Sequence, residues 1–143
     1  MKSELRQMWI LAKESRDLSE QVEALESICQ RMTASYDPVG PVRGGGVDRG
    51  DDRLAALADL RNTYIETKEE LERRERQLMD WCRCLQERDA RILQYRYVLR
   101  LSWLELRGEM QRQGHDPVTL RTLHRWHRTA LLRLERQREE VAS

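Results

Sequence analysis

Apolar residues recur in a three–four rhythm from Met8 onward: Met8, Leu11, Leu18, Val22, Leu25, Cys29 and Met32, interrupted at Ser15. Glu, Gln and Arg take most positions between them. This heptad seam predicts one long amphipathic helix over residues 3–34. The same stripe suits a coiled coil or a helix packed inside an ordinary bundle. A second seam follows, in which Leu57, Tyr64, Leu71, Leu78 and Leu85 stand seven residues apart, flanked by Leu54, Ala58, Ile65, Met79 and Cys82. Its alternate seam positions, Arg61, Lys68 and Glu75, are charged, so the apolar stripe is narrow. The spacing predicts a second long helix opening at Asp51 or Asp52.

Residues 36–50 hold two of the three prolines and five of the seven glycines, which predicts a loop. Gly44-Gly45-Gly46 is not read as a phosphate cradle, because no Gly-Lys-Ser/Thr follows and no strand precedes it. Two helices of ~30 residues, ~45 Å each at 1.5 Å per residue, joined by that loop, make an antiparallel hairpin. Two narrow stripes bury little apolar surface against each other. The hairpin is therefore expected to pair with a second copy, as a homodimer, or with the C-terminal part of the chain.

After Asp89 the pattern shortens into three helices with strong punctuation. Ala90–Val98 places Ile92, Leu93, Tyr97 and Val98 on one face. Ser102-Trp103-Leu104-Glu105 is a capping box, in which the Ser hydroxyl accepts from the Glu105 amide. It opens a helix with Trp103, Leu106 and Met110 at i, i+3 and i+7, expected to end on a left-handed Gly114. Asp116 is expected to cap the last helix, with Pro117 at its first position and His115 and Leu120 as a hydrophobic staple. Helix, short Gly-containing turn, helix is the signature of a helix-turn-helix.

The last helix, to about Arg138, has two faces. At 100° per residue, Leu120, Leu123, His127, Ala130, Leu131 and Leu134 fall within roughly 100°, a core stripe. Arg121, Arg125 and Arg128 fall within about 60° of one another on a separate face, with Thr122 beside them. An arginine ridge at i, i+4 and i+7 on the second helix of such a unit is where major-groove readers sit. The bland alternative is a solvated outer face. Only Glu105, Glu109 and Asp116 offset nine Arg between residues 91 and 134, so no neutralising ladder is available. Leu132 lies on the arginine side and does not fit the stripe.

Charge supports this division. The 143 residues carry 26 Lys+Arg and 25 Asp+Glu, a formal net charge of +1. Residues 1–34 hold five basic and six acidic groups, residues 35–52 two and four, and residues 53–90 eight and nine. Residues 91–143 hold eleven Arg against six acids, a net of +5. The near-zero total is a cancellation, and the basic module carries the electrostatic footprint of a phosphate-backbone binder. No stretch approaches ~18 consecutive apolar residues, so no membrane span is expected. The start Met1-Lys2-Ser3-Glu4-Leu5 lacks the apolar core of a secretory signal. Three cysteines do not make a disulfide framework and fit a cytoplasmic setting.

Ile92-Leu93-Gln94-Tyr95-Arg96-Tyr97, Ser102-Trp103-Leu104-Glu105-Leu106 and Gly114-His115-Asp116-Pro117-Val118-Thr119-Leu120-Arg121 together resemble region 4 of the bacterial sigma factors. The closest likeness is to phage transcriptional regulators of the ArpU/RinA type, which place long helices before such a module. The resemblance covers residues 90–131 in sequence and the hairpin only in layout. It implies a phage- or prophage-encoded regulator binding promoter DNA. It also implies that Ser102 and Trp103 open the first helix of the motif, with Thr119, Arg121, Thr122 and Arg125 facing groove or phosphate on the second. The chain departs from the pattern at Arg100-Leu101, where the family often has Gly, at Arg107-Gly108, where Ala is usual, and at His115, where an apolar residue is common. Gly108 costs about 1 kcal/mol relative to Ala in mid-helix, and it would permit a close helix crossing.

No chemistry converges elsewhere. Cys82 and Cys84, two apart on a helix, point about 160° from each other and cannot chelate one metal. His124 and His127 stand at i, i+3 without a Cys or carboxylate at matching spacing; His127 is expected in the core face, His124 at its edge, and Trp126 in packing or at a dimer contact rather than stacked on a base. No catalytic grouping, cofactor site or metal site is expected, and the chain is not read as an enzyme.

The sequence therefore predicts an all-α protein: a hairpin over residues 1–88 and a sigma-region-4-like helix-turn-helix over residues 89–143. The expected function is sequence-specific binding of double-stranded DNA in transcription regulation, with Ser102, Trp103, Thr119, Arg121, Thr122, Arg125 and Arg128 at the interface. Two rivals stand beside it. One is a small terminase-like DNA recognition subunit; the other is a coiled-coil adaptor that docks on RNA polymerase.

Overall fold

The computed structural model describes residues 2–34, 45–114 and 116–142. They form five helices: α1 (Lys2–Ala34), α2 (Gly45–Cys82), α3 (Glu87–Tyr97), α4 (Trp103–Gln113) and α5 (Leu120–Ala142). No strand occurs among the described residues, so the fold is all-α as the periodicities require. None of these helices is long and apolar enough to cross a membrane.

α2 opens at Gly45, ahead of the expected Asp51. A helix already nucleated downstream gains one hydrogen bond per residue as it grows, which can offset about 1 kcal/mol per glycine. The rest of the expected loop, residues 36–44, lies outside the described residues.

Packing groups the chain into two compact units, Leu11–Glu70 and the pair of segments Met1–Ile10 and Leu71–Ser143. In the first unit α1 and α2 pack as an antiparallel hairpin. Arg61 donates to Glu26 Oε1 at 2.7 Å, and Arg53 touches the Met32 sulfur; as the α1 number rises, the α2 number falls. The core here is thin, as two narrow stripes dictate. Leu11, Ala12 and Leu57 are buried, whereas Leu18, Val22, Leu25, Cys29, Met32 and Tyr64 are only half-buried. Ile28, Leu54 and Ile65 are exposed.

The second unit holds the larger core, in two clusters. One joins Leu5 and Met8 of α1, Leu78 and Cys82 of α2, Leu93 of α3, and Ala130, Leu131 and Leu134 of α5. The other joins Ile92 of α3, Leu106 and Met110 of α4, Val118, and Leu123 of α5. Ile92 and Leu93 are neighbours about 100° apart on α3, so one helix feeds both clusters. The helix-turn-helix thus shares its core with residues of the two long helices. Each fully buried Leu or Ile contributes roughly 1.5–3 kcal/mol of transfer free energy. At the rim Arg138 of α5 donates to Glu4 Oε1 at 3.0 Å and lies over the Trp81 ring at 4.3 Å.

A polar contact crosses this core. Asp89, fully buried in the first turn of α3, accepts from Arg133 Nη1 at 2.7 Å through Oδ2. Its Oδ1 has no hydrogen-bond partner among the described residues. Nothing local in the sequence marks Asp89 as buried, because a single acid at a helix start reads as a first-turn charge.

Candidate nucleic-acid interface

α3, α4 and α5 pack on one another, and the two helices of the motif, α4 and α5, are each fixed by a cap. Ser102 is the N-cap of α4 and its Oγ accepts from the Glu105 amide at 3.2 Å. The hydroxyl in turn donates to Glu105 Oε1 at 3.1 Å, so the return arm of the box ends on the hydroxyl. Gly114 follows at φ −105°, ψ 165°. This is extended backbone, which corrects the expected left-handed cap; its N–H still closes the helix on the Met110 carbonyl at 3.1 Å.

The start of α5 also differs from expectation. The cap is Thr119, not Asp116: Thr119 Oγ1 accepts from the Thr122 amide at 3.1 Å and donates to Thr122 Oγ1 at 2.9 Å. α5 accordingly begins at Leu120. The reason is the staple. Val118, just before the cap, and Leu123, four residues after it, share the second core cluster, and such a pair sets the angle at which the chain enters a helix. Asp116 precedes Pro117, which disfavours helical geometry at the aspartate. Asp116 and Pro117 are left exposed, and the expected staple residue His115 lies outside the described residues.

The turn from α3 to α4 carries the first departure from the sigma-region-4 pattern that the sequence resembles. Arg100 adopts φ 56°, a left-handed conformation in which a residue with a Cβ is strained by about 1 kcal/mol or more. Its side chain reaches Glu75 Oε1 at 3.0 Å. Gly108, the second departure, is exposed with no atom within 4 Å of an added Cβ. No helix crosses there, contrary to the expectation that the glycine admits a close approach.

On α5 the two-faced pattern is realised. Leu123, Ala130, Leu131 and Leu134 are buried, and Leu120 and His127 are half-buried. Arg121, Arg125 and Arg128 are all exposed, and none makes an ion pair among the described residues. Leu132 is 61% exposed on the outer side. The other sequence-selected residues sit differently. Thr119 and Thr122 flank the ridge at the helix start with their hydroxyls engaged in the cap. Ser102 is exposed with its hydroxyl engaged likewise. Trp103 is half-buried, 4.2 Å from the His124 ring and 5.0 Å from the His127 ring. These four residues hold the motif's shape, while the three arginines are the set left open to a partner.

Beneath the ridge the site is held by groups that pattern reading did not select. The Arg96 guanidinium lies over Trp103 at 4.4 Å and over Trp9 at 4.6 Å, and donates to the Leu101 carbonyl at 2.7 Å. Burial lowers its pKa, with Tyr97 opposing. Next to it, the Tyr97 hydroxyl and His127 Nε2 are 2.7 Å apart. Burial, then the charges of Arg96, His124 and Lys2, push the His127 pKa from 6.5 down to about 4. Trp126 packs against the second core cluster, under Arg88 at 4.5 Å. An aromatic–cation spacing across separate helices leaves no periodic signal, so only the fold reveals these contacts.

No group of three or more His, Cys, Asp or Glu that could hold a metal occurs among the described residues. Cys84 is exposed, and Cys82 is buried with its thiol pushed up to about 11 by desolvation.

Compared with known proteins, the chain matches no family model, no curated protein and no solved structure.

Proposed function

We propose that the chain binds double-stranded DNA sequence-specifically through α4 and α5 and acts as a transcription regulator, with the hairpin carrying self-association. The observation that supports this is the ridge. Arg121, Arg125 and Arg128 stand exposed on one face of the second motif helix, without an ion pair among the described residues, in a segment of eleven Arg against six acids. Guanidinium forks suit phosphate oxygens and the O6/N7 edge of guanine, and three of them exposed side by side concentrate positive potential on one face.

Fluorescence anisotropy with mixed-sequence duplex tests it. Binding at 50 mM salt is expected, with a log–log salt slope near −5 for about six neutralised phosphates. Arg121→Ala and Arg125→Ala are each expected to weaken binding while the helical circular dichroism stays unchanged. Absence of binding to any duplex, or unaltered affinity in both variants, removes the ridge from the site.

The exposed Ile28, Leu54 and Ile65 on the hairpin support self-association. Sedimentation at micromolar protein is expected to give twice the 17.1 kDa chain mass. A ring larger than a dimer would move the reading to a packaging-type DNA recognition subunit. Capture of RNA polymerase by a chain that binds no duplex would move it to an adaptor.

A further inference from the structure

Four side chains from four helices form one stack: Trp9 of α1, Arg96 of α3, Trp103 of α4 and His124 of α5. Arg96 is 4.6 Å from Trp9 and 4.4 Å from Trp103, and Trp103 is 4.2 Å from His124. We infer that Arg96 is a positioning residue for the arginine ridge, fixing the rotation of α5 through a stack that begins in the first turns of α1. The inference rests on the reading of α5 as the DNA-contacting helix.

The geometry favours rotation as the controlled quantity. On the helical wheel His124 falls between the buried stripe and the ridge, and His127 lies in the stripe itself. Trp103 meets both rings, His124 tilted and His127 edge-on, so it braces the side of α5 along its axis. Arg96 holds Trp103 from behind, and its bond to the Leu101 carbonyl pins the turn from which α4 departs. Tyr97, the next residue on α3, meets His127 directly. A 20° rotation of α5 would move groups at its ~5–6 Å outer radius by about 2 Å. Hydrogen bonds tolerate only a few tenths of an ångström. A ridge whose three guanidinia must meet fixed phosphates is therefore sensitive to the stack even though Arg96 touches no DNA.

Arg96→Lys tests this, because it keeps the charge and loses the flat face that two indoles sandwich. Trp9→Leu is the companion variant, far from the ridge in sequence and retaining apolar bulk. Both are measured by duplex anisotropy across salt, by thermal unfolding, and, without DNA, by the NMR signals of the His124 ring. Arg96→Lys is expected to weaken duplex binding about tenfold and to reduce the salt slope by about one, since a rotated ridge reaches fewer phosphates. Trp9→Leu is expected to act in the same direction by a smaller factor. In both, the His124 ring signals shift.

A purely structural role would lower the unfolding midpoint and leave the salt slope of the folded protein unchanged, which overturns the inference. Unshifted His124 signals in both variants overturn the stack itself, with or without DNA. If the wild-type chain binds no duplex while the two variants show the His124 shifts, the DNA reading and the ridge's role are overturned and the stack stands.

Discussion

The hydroxyl of Tyr97 and Nε2 of His127 lie 2.7 Å apart between α3 and α5. Burial raises the tyrosine pKa and lowers that of the histidine to about 4, so near neutral pH both groups are uncharged and the ring's tautomer sets which of them donates. The groups that face this ring are Arg96 and Tyr97 on α3, Trp103 on α4, His124 on α5 itself and Lys2 on α1. Three of them carry or can carry positive charge and none is an acid, so nothing there rewards protonation.

A pH dependence follows. The unfolded chain binds a proton at His127 near pH 6.5, whereas the folded chain does so only near pH 4. Between those values the unfolded state holds more protons, so stability falls as pH drops from 6.5 and levels off for this group below 4. The contribution is on the order of 1–3 kcal/mol, discounted because the half-buried ring is partly screened by solvent. Urea unfolding across pH 7 to 4.5 is expected to show this decline in the wild type and a flatter profile in His127→Gln; equal slopes would mean that the ring is solvated.

Removing Arg133 isolates the buried carboxylate of Asp89. Arg133 is the only hydrogen-bond donor to Asp89 among the described residues, so Arg133→Ala leaves both oxygens without a protein partner. The expected cost is about 1–3 kcal/mol, moderated because Arg133 is itself 44% exposed. Asp89→Asn in the Arg133→Ala background is expected to recover part of it, since an amide is cheaper to bury than an unpaired charge. Chemical denaturation of the two variants measures the difference.

The cap assignment at α5 separates two neighbouring residues. Thr119→Ala removes the acceptor of the Thr122 amide and is expected to cost about 1 kcal/mol. Asp116→Ala changes an exposed residue and is expected to stay within about 0.5 kcal/mol of the wild type. The reverse ranking of unfolding midpoints would return the cap to Asp116.

Gly108→Ala is expected to stabilise the protein by about 1 kcal/mol. The glycine lies inside α4, and a Cβ there meets nothing within 4 Å. A higher thermal midpoint checks this. A lower midpoint would show that the site has a close neighbour after all.

The sequence by itself determined that the helices exist and which faces they bury, though not where α2 and α5 begin. The seven-residue spacing of Leu57, Tyr64, Leu71 and Leu78 marks the stripe along which α2 buries three leucines and half-buries the tyrosine, Ser102 and Glu105 mark where α4 starts, and Arg121, Arg125 and Arg128 mark the open face of α5. These follow from local rules, because the helical period and the reach of a capping side chain span only a few residues. The tertiary structure alone decided the rest. Thr119 outcompetes Asp116 as a cap because Val118 finds Leu123 and the second core cluster. Asp89 is buried because Arg133, 44 residues away, comes to meet it. Trp9 reaches Arg96 because the first turns of α1 pack into the same core as α5. Each of these contacts depends on how helices distant in sequence dock, and no window of neighbouring residues encodes that.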